Sequence, residues 1–236
     1  MAMRVLVVGG AGYVGSIVRP VLEQRYQCRY FDRVPPQGVE AQSVIVGDVN
    51  DDAAVAAAVQ NGVESILYMA MGKQEGNIHD VNTSLLVNVG GWYRFLKSGL
   101  AAGVRRFVYA SSLSVYDNLK SGIRQDESKP PDAWKKPYGV SKRLGEAIGE
   151  MAAAAEPSAS ILALRLMLPR NDEDWRRPTT LHLAPMGPND TRRLFLAALA
   201  FDRPGWHVVQ TSGDLEGKLF PNDCARELLG WEPRGE

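Results

Sequence analysis

The sequence lacks an excess of either charge, a cluster of metal-ligating residues and a long apolar run. Lysine and arginine together number 27, and so do aspartate and glutamate, so no net field attracts nucleic acid or anionic lipid. The two cysteines and three histidines are scattered without zinc-ligand spacing, which argues against a metal site. The first residues lack a signal-peptide pattern, and no apolar run approaches the roughly 20 residues of a membrane helix. We therefore expect a soluble, cytoplasmic protein that binds neither nucleic acid nor membrane.

Short β-branched runs alternate with longer helical patterns along the chain. Strands are predicted at 4–8, 28–32, 43–48, 64–70, 105–112 and 160–166, with a short one near 206–210. Helices are predicted at 13–25, 51–60, 81–102, from Pro137 onward, and near 190–201 and 221–229. This alternation, with nearly continuous apolar strands, predicts an α/β fold whose parallel sheet is covered on both faces. The polar stretch after residue 166 divides the chain into a core, 1–166, and a small portion, 167–236, that partly returns to the core.

The first predicted strand runs directly into a glycine-rich loop, "GGAGYVG". Glycine permits a tight turn and lets the backbone approach a pyrophosphate, while the following helix offers free N–H groups. A motif of this kind needs a strand before it and a helix after it, and both are predicted here. We expect a dinucleotide to contact Gly9, Gly12, Tyr13, Val14 and Gly15.

Asp32 ends the second predicted strand, 20 residues after Gly12. A carboxylate at this place accepts hydrogen bonds from the adenosine ribose hydroxyls and repels a 2′-phosphate, which favours NAD over NADP. Arg33 leaves NADP open, because a guanidinium could hold that phosphate; it could equally be a solvated loop arginine. Asp48 and Val49 end the third strand, beside the expected adenine, although Asp48 could instead cap the next helix.

Three tyrosines precede a lysine by four residues. The pairs are Tyr93 with Lys97, Tyr116 with Lys120, and Tyr138 with Lys142. Tyr93 is predicted on a helix at the flank of the sheet, and Tyr116 in a loop. Tyr138 opens a helix after Pro137, which suits a first helical turn and places Tyr138 and Lys142 on one face. The third pair is therefore the candidate for proton transfer.

The order and spacing of the motifs resemble the extended short-chain dehydrogenase/reductases, the NAD-dependent epimerase/dehydratase group. The resemblance covers about 1–166 and rests on "GGAGYVG" (9–15), Asp32, "GDV" (47–49), "VNVGG" (87–91), "RFVYASSLSVY" (106–116) and "PYGVSK" (137–142). It implies a Rossmann-type doubly wound sheet and an NAD cofactor. It also implies a homodimer formed through the two long helices predicted at about 81–102 and 137–155. It also implies that the core carries the cofactor and that 167–236 carries part of the substrate site.

The resemblance assigns roles to single residues. Ser112, Tyr138 and Lys142 are then the catalytic residues, and Ser111 is a neighbour that could meet the substrate. Asn88 lies near the cofactor or is an ordinary helix residue, and the nicotinamide side is expected to be lined by Ala70 and Met71.

The expected chemistry follows from the charges around a phenol. A free tyrosine titrates near pH ~10, and a nearby ammonium and an oxidised nicotinamide would lower that pKa. Tyr138 would then take a proton from a substrate hydroxyl while a hydride leaves the same carbon for the cofactor. Ser112 would hydrogen-bond the substrate oxygen, and Lys142 would also hold the nicotinamide ribose.

The short C-terminal portion favours a small substrate, because extended members that bind nucleotide sugars usually devote more chain to them. With this compact architecture and short tail, the chain is similar to the uronate dehydrogenases, which oxidise a sugar acid at its anomeric carbon. An arginine should then meet the carboxylate, and Arg165 and Arg170 are the candidates, unless both are ordinary surface arginines. Two alternatives stay open: a nucleotide-sugar epimerase or dehydratase, and a non-catalytic sensor that only binds the dinucleotide.

Overall fold

The computed structural model describes residues 2–75, 78–119, 122–177 and 184–236. Lys120, the partner of Tyr116 in the second tyrosine–lysine pair, lies outside these residues, as does one of the three histidines, His182.

Nine strands are described. They are β1 (Arg4–Val8), β2 (Gln27–Asp32), β3 (Val44–Val46), β4 (Ser65–Tyr68), β5 (Gln74–Glu75), β6 (Ile78–His79), β7 (Arg106–Ser112), β8 (Ser160–Leu166) and β9 (Gly205–Thr211). Seven of them form one sheet in the order β3-β2-β1-β4-β7-β8-β9, and every pairing in it is parallel. The strands β5 and β6 pair separately as a small antiparallel hairpin.

Eight α-helices connect and flank these strands. They are α1 (Tyr13–Arg25), α2 (Asp52–Ala58), α3 (Val81–Leu85), α4 (Trp92–Ala101), α5 (Pro137–Ala155), α6 (Asp172–Trp175), α7 (Pro188–Ala200) and α8 (Asp223–Leu229). A π-helical turn, Leu86–Gly91, joins α3 to α4. Within the described ranges, no helix is both long and apolar enough to cross a lipid bilayer.

Alternate residues of the central strands pack into two separate hydrophobic cores, one on each face of the sheet. Along β1, Val5 and Val7 pack with side chains of α1 and α7, whereas Leu6 and Val8 pack with side chains of α2 and α4. This is the consequence of a strand whose successive side chains point to opposite faces. The predicted α/β class, with a doubly wound parallel sheet covered on both faces, is confirmed.

The strand order reverses next to β1. The chain runs outward from β1 through β2 to β3, and then returns to β4 on the other side of β1. In open α/β sheets, ligands bind at the carboxyl ends of the strands beside such a reversal. The loops that follow β1 and β4 therefore border the expected cleft.

Three local features differ from the sequence-based prediction. The single helix expected at 81–102 is divided into α3, the π-helical turn and α4. The hairpin of β5 and β6 was not predicted, because strands of two residues carry no alternating apolar pattern. The short helix α6 lies in the stretch after residue 166 that was expected to be a loop.

Candidate active site

The glycine loop leaves the amino end of α1 free. Gly12 is the residue before the helix, no side chain caps that end, and the first turn holds no acidic residue. A Cβ on Gly15 would lie 2.4 Å from the carbonyl oxygen of Gly10, whereas one on Gly12 would meet only the oxygen of Gly9, at 3.3 Å. Packing therefore explains Gly15, whereas at Gly12 a side chain would meet a single backbone oxygen, in a tight contact. Free N–H groups at an uncapped helix end fit an anionic pyrophosphate.

Gly9 and Ala70 bring the loops after β1 and β4 into contact. Gly9 has a φ of +87°, and a Cβ there would lie 2.4 Å from the backbone nitrogen of Ala70. Met71, the next residue, is exposed. Both residues predicted for the nicotinamide side thus border the cleft.

Asp32 lies at the carboxyl end of β2 and is tied to the glycine loop. One carboxylate oxygen accepts a hydrogen bond from the backbone N–H of Ala11 at 2.9 Å, and the other accepts one from the backbone N–H of Arg33 at 2.7 Å. The carboxylate is half-buried, and Arg33 is exposed. At this position a carboxylate can accept hydrogen bonds from the ribose hydroxyls of a dinucleotide.

Asp48 does not cap α2. Its Oδ1 accepts a hydrogen bond from the backbone N–H of Asn50 at 2.9 Å, and Asp51 caps the helix through the N–H groups of Ala53 and Ala54. The capping alternative for Asp48 is therefore wrong. Asp48 is exposed, and Val49 beside it is buried.

The candidate proton-transfer residues lie together at the carboxyl end of β7. Tyr138 is the second residue of α5, and Lys142 lies one turn later. The Nζ of Lys142 lies 5.7 Å from the centroid of the Tyr138 ring and donates a hydrogen bond to the carbonyl oxygen of Ala110 at 2.6 Å. The side chain of Ser112 lies close enough to Tyr138 to lower the pKa of the phenol.

Burial controls the electrostatics of this group. It raises the pKa of Tyr138, and the neighbouring Ser112 side chain opposes this effect without cancelling it. Burial also lowers the pKa of Lys142 to about 7, against the opposing charge of Glu146. The expected lowering of the tyrosine pKa is therefore not a property of these side chains alone. The oxidised nicotinamide of NAD, when bound, would add the positive charge that favours the phenolate.

Asn88 supports the backbone at Tyr138. Its Oδ1 accepts a hydrogen bond from the N–H of Gly72 at 3.1 Å, and its Nδ2 donates to the hydroxyl of Ser141 at 2.9 Å. That hydroxyl donates to the carbonyl oxygen of Tyr138 at 2.8 Å. Asn88 is fully buried in the π-helical turn, a distortion that is frequent at functional sites.

Arg165 forms an internal ion pair. Its guanidinium contacts both carboxylate oxygens of Glu146, with Nη2 2.8 Å from Oε2 and Nε 3.0 Å from Oε1. It also donates to the hydroxyl of Tyr116 at 2.6 Å, and Ser111 donates to Glu146 at 2.6 Å. Arg165, Glu146 and Ser111 are all buried. This arrangement speaks against a substrate contact for Arg165 and Ser111, because both side chains already have buried partners.

Arg170 lies elsewhere, beside the nucleotide loop. The residue after it, Asn171, donates its backbone N–H to the hydroxyl of Tyr13 at 3.0 Å, and that hydroxyl donates to Asp174 at 2.6 Å. Arg170 is half-buried, and its guanidinium donates to the carbonyl oxygen of Arg177 at 3.4 Å. Among the described side chains, no carboxylate lies within ion-pair distance of it.

His79, the last residue of β6, was not predicted as a site residue. Its imidazole stacks on the Tyr138 ring, with the ring centroids 4.2 Å apart and the planes 14° apart. An isolated histidine in a polar stretch gives no signal of its own. Glu146 was not predicted either, although its place one turn after Lys142 on α5 could have indicated a coupled charge.

The family profile described as "NAD dependent epimerase/dehydratase family" matches residues 5–169. This stretch contains the glycine loop, Asp32 and the group around Tyr138. The chain belongs to the NAD-dependent epimerase/dehydratase family. Family membership confirms the predicted enzyme class and its NAD cofactor.

Three similar proteins illustrate the range of this family. The chain is 26% identical to a glucuronic acid dehydrogenase of solved structure from Chromohalobacter salexigens, with a TM-score of 0.83 over 99% of this chain and 85% of the other. It is 26% identical to an NAD-dependent glucose-6-phosphate dehydrogenase from Haloferax volcanii, over 99% of this chain and 94% of the other. It is 37% identical to a 3 beta-hydroxysteroid dehydrogenase/Delta 5-->4-isomerase from Mycobacterium tuberculosis, over 61% of this chain. That match spans only 41% of the steroid enzyme's length.

Proposed function

We propose that this family member is a dehydrogenase that oxidises a hydroxyl of a small sugar or sugar acid and passes the hydride to NAD. The observation that carries the proposal is the grouping of Tyr138, Ser112 and Lys142 at the carboxyl end of β7, at the cleft edge of the sheet. A sensor that only binds the dinucleotide has no need of a buried lysine beside a tyrosine.

Each of the three side chains has a distinct role in this reaction. Tyr138 takes the proton of the substrate hydroxyl as the carbon–hydrogen bond of the same carbon breaks, which leaves a carbonyl product and NADH. Ser112 donates a hydrogen bond to the substrate oxygen. Lys142, protonated, favours the phenolate and holds the nicotinamide ribose.

The proposed cofactor contacts follow the cleft. The pyrophosphate is held at the free end of α1, and Asp32 accepts the ribose hydroxyls, with Arg33 beside it. The other proposed contacts are Gly9, Gly12, Tyr13, Val14, Gly15, Asp48, Val49, Ala70, Met71 and Asn88.

A negatively charged sugar is the favoured substrate. The two similar proteins that cover nearly the whole chain act, by their names, on glucuronic acid and on glucose 6-phosphate. Arg170 has no carboxylate partner among the described side chains and lies in the segment after β8, next to the nucleotide loop. We assign it to the substrate's carboxylate or phosphate, a contact that suits the planar guanidinium.

A spectrophotometric screen tests the proposal. Formation of NADH from NAD, and of NADPH from NADP, is measured with uronic acids, sugar phosphates, neutral aldoses and nucleotide sugars. We expect NADH from an anionic sugar, with an increased KM in Arg170→Ala. The KM should be unchanged in Arg203→Ala, which alters an exposed arginine before the amino end of β9, away from the carboxyl ends of the strands. Isomerisation without net NADH would instead identify an epimerase, and binding without turnover would identify a sensor.

The proposed assembly is a homodimer. The π-helical turn, α4 and α5 carry exposed apolar side chains, namely Leu86, Tyr93, Leu144 and Met151. Such side chains on adjacent helices fit an interface between two copies. Light scattering coupled to gel filtration should give twice the 25.9 kDa mass of one chain; a mass of one chain contradicts it.

A further inference from the structure

His79 covers one face of the tyrosine that the proposed function makes catalytic. Its imidazole is nearly parallel to the phenol ring, with the two centroids 4.2 Å apart. The side chain is only partly buried, so it borders the space from which a substrate would approach the phenol. A group in this place would lie close to a substrate bound at the phenol.

One nitrogen of this imidazole lacks a hydrogen bond. The Nδ1 of His79 is shielded from solvent and has no hydrogen-bond partner among the described residues. A buried polar atom without a partner is costly, and native proteins tolerate few of them. A substrate could supply the missing partner once a turn of the imidazole ring brings this nitrogen to the exposed side of the side chain.

The position of His79 is fixed by its neighbours in the chain. It pairs with Gln74 across the hairpin of β5 and β6. The next residue, Asp80, donates its backbone N–H to the carbonyl oxygen of Lys73 at 3.1 Å and caps α3 through the N–H of Thr83 at 2.7 Å. The imidazole therefore projects from a short segment anchored at both ends.

The charge state of His79 suits a hydrogen bond with a hydroxyl. Burial and the nearby ammonium of Lys142 both lower the pKa of His79. The imidazole is then neutral at neutral pH, with one nitrogen that donates and one that accepts. A neutral imidazole can accept from, or donate to, a hydroxyl without repelling the charge of Lys142.

We propose that His79 binds a second hydroxyl of the substrate, on the carbon next to the one that is oxidised. This inference rests on the proposed function and narrows its substrate class to compounds with two neighbouring hydroxyls. It also gives a reason for a polar ring, rather than an apolar one, on the face of Tyr138. A substrate with a single isolated hydroxyl would leave the imidazole unpartnered.

The test compares two substrates in two proteins. The substrates are the anionic sugar that the wild type oxidises fastest and its analogue without the hydroxyl on the neighbouring carbon. His79→Phe keeps an aromatic ring for stacking but removes both hydrogen-bonding nitrogens. We expect the wild type to prefer the hydroxylated sugar in kcat/KM by at least roughly tenfold, because a binding site with a hydrogen-bonding group rejects an analogue that lacks its partner.

In His79→Phe that preference should fall to about twofold or less, with the main loss in the KM for the hydroxylated sugar. His79→Asn, which retains hydrogen-bonding groups, should keep part of the preference and serves if the phenylalanine variant does not fold. His207→Phe is the matched control, because His207 is on β9 and packs against Phe201. The His207→Phe variant should prefer the hydroxylated sugar in kcat/KM as strongly as the wild type does.

The contrary results are distinct. An equal loss with both sugars in His79→Phe, or a wild type without any preference, overturns the role of His79 while the proposed function stands. No NADH from any sugar with the wild-type protein overturns the proposed function and, with it, this inference.

Discussion

The two ends of the cleft are built in different ways. At the nucleotide end, the glycine loop and Asp32 rely on backbone N–H groups and one half-buried carboxylate. At the reaction end, the group around Tyr138 relies on side chains that come from β6, β7, α5 and β8, most of them buried. Apart from Asp32, the first end depends on the path of the backbone more than on side chains. The second depends on charges whose partners lie far away in the sequence.

The largest difference in stability should come from Glu146→Gln. This change leaves the guanidinium of Arg165 buried without its carboxylate, which we expect to lower the free energy of unfolding by about 3–5 kcal/mol. Asp52→Asn is the matched control, because it breaks an exposed pair with Arg94 and should cost less than about 1 kcal/mol. Urea denaturation measures both. An equal cost for the two variants would remove the distinction between the buried and the exposed pair.

At the nucleotide end, Asp32→Asn should change cofactor choice more than stability. A hydrogen bond to a charged group contributes about 1.5–3 kcal/mol, so NAD affinity should fall roughly ten- to a hundredfold. NADP affinity should fall less, because the carboxylate no longer repels the 2′-phosphate. Calorimetric titration of both nucleotides measures the ratio, and Arg33→Ala tests whether that guanidinium holds the phosphate. An unchanged ratio in Asp32→Asn would remove the carboxylate from the ribose site.

Two glycines of the same loop should separate folding from binding. Gly15→Ala places a methyl group against the carbonyl of Gly10, and overpacking of this kind costs about 1–3 kcal/mol. In Gly12→Ala the methyl group meets only the carbonyl oxygen of Gly9, at 3.3 Å. The loss of stability should therefore be smaller, about 1 kcal/mol or less, while NAD affinity falls. Thermal unfolding and nucleotide titration on both variants measure the two effects. Equal NAD affinity in Gly12→Ala and the wild type would place the pyrophosphate elsewhere.

The smallest expected effect is the change of the free energy of unfolding with pH that comes from Lys142, at the reaction end. The folded pKa of Lys142 is about 7, below its value of about 10.4 in an unfolded chain. The unfolded chain therefore binds more protons between these values, and stability rises with pH. From pH 7 to 8 the free energy of unfolding should increase by about 1 kcal/mol from this group. Urea denaturation of wild type and Lys142→Met at both pH values isolates the contribution, and an identical slope in both proteins would contradict it.

The difference between the two ends also decides what the sequence can predict. The glycine loop, Asp32 and the helix start at Pro137 are local patterns, and strand β1 and helix α1 were predicted with their observed bounds. The parallel sheet was predicted from nearly continuous apolar strands. That pattern is informative because such strands are buried on both faces by the helices that pack against them.

The reaction end was only partly predictable. Tyr138 and Lys142 share a helix, so their proximity follows from spacing. The contact of His79 with Tyr138 and the pair of Arg165 with Glu146 join distant parts of the chain, and periodicity carries no information on such contacts. For the same reason, Arg165 could not be distinguished from Arg170 as a partner for an anionic substrate.

The most direct test of the central claim is Tyr138→Phe, with NADH formation and NAD binding measured side by side on the same preparation. The account predicts that NADH formation from the anionic sugar falls at least roughly a hundredfold, because the proton acceptor is lost. NAD affinity should stay within about twofold, because the pyrophosphate and ribose contacts at the other end of the cleft are unchanged. Full NADH formation in the variant would contradict the role of Tyr138 and the dehydrogenase mechanism built on it.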